Sequence, residues 1–204
     1  MVKVREILQT EKNEIDEIVN IHLNTFQGFF LTFLGKGFLR QMYNSYCTYN
    51  RSGVLAAYED SGRIVGFLAY SEDLSGLYQY MLKKRLLFFA WYSLGAFVRN
   101  PKVLMRLLGA FFKPGESKRD EAYVMISSIG VRPEVKGIGV GTQLMDALKE
   151  RVDLQKYAYI MLETDAVDND AANYFYQKNG FVLNRTFFTR ESRQMNEYRF
   201  GERK

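Results

Sequence analysis

The sequence predicts an α/β protein, and three observations predict it. Strand-like alternation and helical spacing take turns along the chain; the run Val131-Arg132-Pro133-Glu134-Val135-Lys136-Gly137-Ile138-Gly139-Val140-Gly141 reads as a strand passing through a glycine-rich turn into a helix; and the last third repeats strand, helix and an antiparallel pair.

Val2 to Leu8 alternates and reads as a strand, and Ile15, Ile18, Val19, His22 and Leu23 recur at helical spacing. Phe26 to Leu34 is a glycine-and-phenylalanine elbow, with Phe26, Phe29, Phe30 and Phe33 broken by Gly28, Gly35 and Gly37. It reads either as an apolar loop beside a pocket or as a helix–helix corner. Phe38, Leu39, Met42, Tyr43 and Tyr46 give a second helix. Val54 to Tyr58 and Ile64 to Tyr70, joined by Glu59-Asp60-Ser61-Gly62-Arg63, form a β-hairpin. Leu74 to Phe112 reads as two basic, aromatic helices broken near Asn100-Pro101, followed by a linker at Pro114 to Lys118. Tyr123 to Val131 is the strand that enters the glycine turn, with a helix through Gln143 to Val152 and a strand over Tyr157 to Thr164 after it. Asp168 or Asn169 can N-cap a helix that Gly180 stops beyond Lys178, and Phe181 to Phe188 pairs with Met195 to Phe200.

The 204 residues suit one domain spanning 1–204 with a helical insertion at about 74–118. An apolar content of 47% with three prolines argues against disorder. A single cysteine, Cys47, excludes an intramolecular disulfide, and with a single histidine, His22, it argues against a metal site; no metal is expected. The first residues lack the apolar run of a signal peptide and no segment supplies the ~20 apolar residues of a membrane span, so a cytoplasmic protein is expected. A net charge of +5 favours an anionic ligand, and the aromatic residues form no nucleic-acid platform, so no nucleic acid is expected as a partner.

The glycine turn carries the first chemistry. Gly137, Gly139 and Gly141 let successive backbone N–H groups converge on an anion at a helix N-terminus. A P-loop fits badly, because Lys136 precedes the glycines and Thr142 follows them; a dinucleotide fingerprint fits badly, because the glycines alternate. A plain tight turn would account for one or two glycines, whereas three point to close approach of a ligand.

The second motif is Asn169-Asp170-Ala171-Ala172-Asn173-Tyr174-Phe175-Tyr176-Gln177-Lys178-Asn179-Gly180-Phe181, a complete Asn-x-x-Ala-x-x-Phe-Tyr-x-Lys-x-Gly-Phe. Together with Val131-x-Pro133-x-x-Lys136-Gly137-x-Gly139-x-Gly141 it resembles the GNAT superfamily of acyl-CoA-dependent N-acetyltransferases over roughly Tyr123 to Phe181. The resemblance implies a mixed, splayed β-sheet flanked by helices, with the extra helical insertion between the third and fourth strands, and acetyl-CoA as co-substrate. It also implies that backbone at Ile129 and Val131 pairs with the pantetheine amides, that Gly137, Ile138, Gly139, Val140, Gly141 and Thr142 hold the pyrophosphate beside Lys136, and that Asn169 and Ala172 line the pantetheine path. Tyr176 would protonate the leaving thiolate; a core aromatic is its plainer reading.

The base departs from the family pattern. Ser127, with Ser128 beside it, stands where many members carry a carboxylate. Glu163 matches the place of a catalytic Glu in some relatives, with a loop to Asn169 one residue longer. Serine-bound water is the alternative, and His22 reads first as a helix residue facing core or solvent. Phe29, Phe30 and Ser127 are candidate substrate-binding residues. The expected acceptor is a primary amine of a small molecule, and resemblance to GNAT proteins linked to surface-polysaccharide synthesis implies an amino-sugar derivative; a protein or peptide acceptor, or a non-catalytic acyl-CoA-binding role, are the alternatives. The basic insertion could cover a sheet edge, cap an anionic substrate, rest peripherally on a membrane or form a homodimer.

Overall fold

The computed structural model describes residues 2–8, 12–28, 30–99, 121–189 and 192–202, and for 12, 30 and 93–99 the backbone alone. In order, the elements are β1 (Lys3–Glu6), α1 (Lys12–Thr25), α2 (Phe30–Phe33), α3 (Gly35–Thr48), β2 (Ser52–Tyr58), β3 (Ile64–Ser71) and α4 (Leu74–Arg99). There follow β4 (Tyr123–Val131), a 3-10 turn (Pro133–Val135), α5 (Val140–Arg151), β5 (Tyr159–Asp165), α6 (Asp170–Lys178), β6 (Val182–Phe188) and β7 (Gln194–Phe200).

The strands make one seven-stranded sheet in the order β1-β2-β3-β4-β5-β7-β6. β4 and β5 run parallel and the other neighbours antiparallel, so the sheet is mixed. β3 lies inside the sheet between β2 and β4 and is buried along its whole length, which is why Ile64 to Tyr70 is an almost unbroken apolar run. Helices cover both faces. On one face Ile15, Ile18 and Val19 of α1, the Phe38, Leu39, Met42, Tyr43 and Tyr46 stripe of α3, and Leu77 and Met81 of α4 close over Val54, Phe67 and Ala69. On the other, Val140, Leu144, Met145 and Leu148 of α5 meet Leu55, Val65, Leu68, Val124 and Ile126.

The aromatic elbow is a helix corner: α2 is one short helix between Gly28 and Gly35, and the Thr32 hydroxyl pins it by donating to the Phe26 carbonyl at 2.6 Å. α4 is a single helix of 26 residues. Phe89 ties it to Phe38 of α3, with ring centroids 4.8 Å apart, and Arg85 donates to Gln41 at 2.7 Å. Its outer side exposes Leu87, Phe88 and Trp91. The expected helix break at Asn100-Pro101 and the 114–118 linker lie outside the described residues, as does Phe29.

Candidate active site

β4 and β5 are paired from Tyr123 opposite Tyr159 to Ile126 opposite Leu162 and no further, although β4 runs on to Val131 and β5 to Asp165. At the same level the β3–β4 register slips: Ala69 faces Ser128 and Tyr70 faces Ile126, so Ser127 is the extra residue of a β-bulge. Bulge and parting together open a notch between the two parallel strands. The Arg132 N–H donates to the Val65 carbonyl at 2.8 Å. Because an antiparallel ladder alternates inward and outward backbone groups, Gly130 and Ser128 also face β3, while the N–H and C=O of Ile129 and Val131 turn toward the side β5 has left. The Thr25 hydroxyl at the end of α1 makes a long 3.4 Å contact to the Val131 carbonyl.

The glycine turn leads from this strand into α5, and each glycine has its own reason. Gly137 and Gly139 sit at φ +86° and +89°, with open space where a Cβ would project, so what they supply is left-handed backbone. A Cβ on Gly141 would come within 3.1 Å of the Phe175 ring, so this glycine seats α5 on α6. Gly137 and Gly139 thus have a conformational reason and Gly141 a packing reason, alongside the ligand approach expected of all three. Gly139 caps α5 without a side-chain bond, and the first helical bond runs from the Gln143 N–H to the Gly139 carbonyl at 3.0 Å. The N–H groups of Val140, Gly141 and Thr142 precede that bond and have no intrahelical acceptor. Lys136, Gly137, Ile138 and Gly139 are exposed around them.

Asn169 holds the N-cap position of α6, but its side chain does not cap, contrary to the expectation for Asp168 or Asn169. Its Nδ2 turns back to donate to Thr164 Oγ1 at 2.7 Å and to the Asp165 carbonyl at 3.3 Å, fastening the loop instead. Asn173 Oδ1 accepts from the Tyr198 hydroxyl and from Asn196, both at 2.9 Å, which locks α6 onto β7. Ala172 is half-buried one turn before Tyr176. The Tyr176 ring lies among Phe175, Phe181 and Tyr198, with centroids 5.4, 6.5 and 5.9 Å away. Among the described residues its hydroxyl has no hydrogen-bond partner, and burial pushes its pKa up to about 12.

Glu163 is on the other face. In the β5–β7 register Leu162 opposes Tyr198 and Glu163 opposes Glu197, so pleating sends Leu162 and Tyr198 toward α5 and α6 and Glu163 toward the α1, α3 and α4 side. The notch thus connects a face carrying Tyr176 with a face carrying Glu163. On the Glu163 side, Tyr78 of α4 lies beside the Glu163 carboxylate and Tyr123, and burial first, then these two groups, push its pKa up to about 12. The exposed Ser127 hydrogen-bonds the buried Tyr46, whose phenol is raised by burial and then by Tyr78. Ser128 hydrogen-bonds Tyr43, raised by complete burial. Tyr43 in turn meets His22 Nδ1 at 2.6 Å, and burial lowers the His22 pKa to about 4. Glu197 is fully buried and held by Arg185 Nε at 2.8 Å and Arg199 Nε at 2.9 Å.

Ile129, Val131 and Ser127 lie on β4 beyond its last pair with β5, the 136–142 turn follows that strand, Glu163 lies on β5 beyond the same pair, and α6 with Asn169, Ala172 and Tyr176 follows β5, with Tyr176 and Glu163 on opposite faces. Of Phe30 only the place at the start of α2 is described. Sequence reasoning did not single out Tyr43, Tyr46, Tyr78 and Tyr123 for the site; for Tyr43 and Tyr46 the available signal was hydroxyl-bearing residues at core positions of α3, where apolar neighbours would leave the hydroxyls unpaired. Among the described residues no group of three His, Cys, Asp or Glu side chains could hold a metal, and no helix is long and apolar enough to cross a membrane.

A mixed sheet that parts between its parallel strands, beside a glycine turn opening a helix, defines the acyl-CoA-dependent acyltransferases. The model of the acetyltransferase (GNAT) family matches residues 15–181, and the chain belongs to that family. No curated protein matches it. Among solved structures it is similar to a Bacillus anthracis protein described as a streptothricin acetyltransferase, solved with acetyl coenzyme A, at 16% identity, a TM-score of 0.60 and 98% coverage of each chain. It is also similar to the ribosomal-protein-S18-alanine N-acetyltransferase of Escherichia coli at 12% identity and a TM-score of 0.58, over 98% of this chain and 93% of that one. An N-acetyltransferase of Staphylococcus aureus Mu50 matches at 15% identity and a TM-score of 0.59, with 98% of each chain covered. At these identities the likeness is one of fold.

Proposed function

We propose that this acetyltransferase moves the acetyl group of acetyl-CoA to the primary amine of a small molecule, by direct attack in a ternary complex, with an amino-sugar derivative as the acceptor class. The observation that carries the reading is the parting of β4 from β5 beyond Ile126 and Leu162, next to a helix start with free N–H groups. The outward backbone of Ile129 and Val131 suits the pantetheine amides. The N–H groups from Gly137 to Thr142, including Ile138 and Val140, suit the pyrophosphate, with the Lys136 charge beside them. Asn169 keeps its Oδ1 for the pantetheine path, and Ala172 leaves room there.

In the transfer a C–N bond forms and the C–S bond breaks; the amine gives up a proton and the thiolate gains one. Glu163 is the proposed group to take the first, directly or through water, with serine-bound water relaying the proton as the alternative. Tyr176 gives the second from its unpartnered hydroxyl. The burial that raises Tyr176 to about 12 also raises any thiolate leaving into the same space, so the gap between donor and acceptor stays small. Ser127 and the tyrosines behind it line the amine's approach.

The test is release of free thiol from acetyl-CoA across a panel of aliphatic amines, amino sugars free and nucleotide-linked, and peptides with free N-termini. The reading expects amine-dependent release, strongest with an amino sugar. Release with peptides alone would move the acceptor to protein, and acetyl-CoA binding without amine-dependent release would overturn it.

A further inference from the structure

The core residue that the transfer leaves unexplained is His22. It is 2% exposed, and its partner Tyr43 is 0% exposed. His22 Nδ1 and the Tyr43 hydroxyl are 2.6 Å apart, whereas His22 Nε2 is buried with no hydrogen-bond partner among the described residues. The imidazole packs on Phe26 with centroids 4.7 Å apart, and Tyr43 stands edge-on to Phe67 at 5.3 Å. Phe26 and Phe67 also reach the space where a Gly130 side chain would be, so this column stands under the part of β4 that has lost β5. An apolar residue at position 22 would fill the same space without an unpaired ring nitrogen, so a plain packing role gives no account of a histidine here.

We propose that His22 is a positioning residue: through the Tyr43 hydroxyl it fixes the direction of the Ser128 hydroxyl, leaving the Ser128 oxygen as a hydrogen-bond acceptor for an N–H of the incoming amine. The inference rests on reading the notch as the site of acetyl transfer. Its logic is donor and acceptor matching. In a neutral imidazole one nitrogen carries hydrogen and the other accepts. A phenol is the better donor and an imidazole nitrogen the better acceptor, so Tyr43 donates to Nδ1 and the ring hydrogen sits on Nε2. The Tyr43 oxygen then takes the Ser128 hydrogen, in the Ser128–Tyr43 hydrogen bond described above. Ser128 is half-buried just past the last β4–β5 pair, and with its hydrogen turned inward its lone pairs face the opening. The other tautomer would reverse every bond in the chain and make Ser128 a donor to the acetyl carbonyl instead, so the position of one proton decides which reactant Ser128 serves.

The experiment has two arms. A long-range 1H–15N spectrum of the imidazole at neutral pH is expected to show hydrogen on Nε2 and a bare Nδ1; hydrogen on Nδ1 would overturn the proposal. Kinetics with the best amine of the panel supply the second arm. His22→Leu and Tyr43→Phe should each lower kcat by about tenfold with the Kd for acetyl-CoA unchanged, and the double variant should be no worse than either alone. His22→Asn, whose Oδ1 reaches the Nδ1 position, should stay within about threefold of the parent, the scale of a weakened but retained bond. Undiminished kcat in both His22→Leu and Tyr43→Phe, or equal damage from Asn and Leu, would overturn it. Thermal melts identify a variant that fails to fold, in which case Tyr43→Phe and His22→Asn decide. If no amine is accepted by the parent protein, the transfer reading fails, while the spectrum still decides the polarity at His22.

Discussion

The two sides of the notch are built differently. The side we propose for coenzyme A uses consecutive residues and mostly backbone: the turn Lys136 to Thr142, the outward edge of β4 at Ile129 and Val131, and one helix carrying Tyr176. The side we propose for the acceptor carries side chains from α1, α3, α4, β4 and β5, namely His22, Tyr43, Tyr46, Tyr78, Ser127, Ser128 and Glu163. A ligand shared by a whole family can be held by backbone geometry, which side-chain drift leaves intact. An acceptor peculiar to one protein needs side chains, and those on the proposed acceptor side are tyrosines and serines backed by buried partners.

Substitutions can break that division, and the largest expected effect falls on stability. The folded His22 pKa of about 4 lies below its ordinary value of 6.5, so the unfolded chain binds the proton more readily. Stability is full above about pH 6.5 and falls as pH drops toward 4, by roughly 3 kcal/mol for this one group. Denaturation measured from pH 7 to 4 should show that slope, and His22→Asn should lack it.

Next come the two faces compared directly. Tyr176→Phe should lower kcat by about 100-fold and leave the Kd for acetyl-CoA unchanged, and Glu163→Gln should lower kcat/KM for the amine by a similar factor of about 100, again sparing acetyl-CoA. Loss of acetyl-CoA affinity in Glu163→Gln would put that carboxylate on the coenzyme side. The smallest effect is expected at the turn. Gly139 sits at φ +89°, and Gly139→Val forces a branched residue into left-handed backbone, which should weaken acetyl-CoA binding by about tenfold. Calorimetric titration with acetyl-CoA reads it, and normal binding would remove the turn from the phosphate site.

The same division explains what the sequence disclosed. The hairpin, the strand–turn–helix and α6 with its Gly180 stop are local, carried by alternation, helical spacing and turn residues, and all are found where the pattern predicts them. Ser127 reads as a missing carboxylate in the sequence; only the register slip against β3 makes it a bulge residue facing the opening. The side chain of Asn169 turns away from its helix because Thr164 and the Asp165 carbonyl compete for it, a tertiary choice that no capping rule encodes. His22 lies on the buried stripe of α1, and helical spacing marks it as core or surface without revealing Tyr43, which is twenty-one residues away in sequence. Position and type were legible, whereas the partners that give these residues a role come from other elements.

The central claim is that coenzyme A enters where β4 leaves β5. Amide hydrogen exchange with and without saturating acetyl-CoA tests it most directly. Protection is expected at Ile129, Val131 and Val140 to Thr142, with the amides of Tyr46 and Tyr78 unchanged. Unaltered exchange at Ile129 and Val131, with protection appearing instead along β6 and β7, would contradict it.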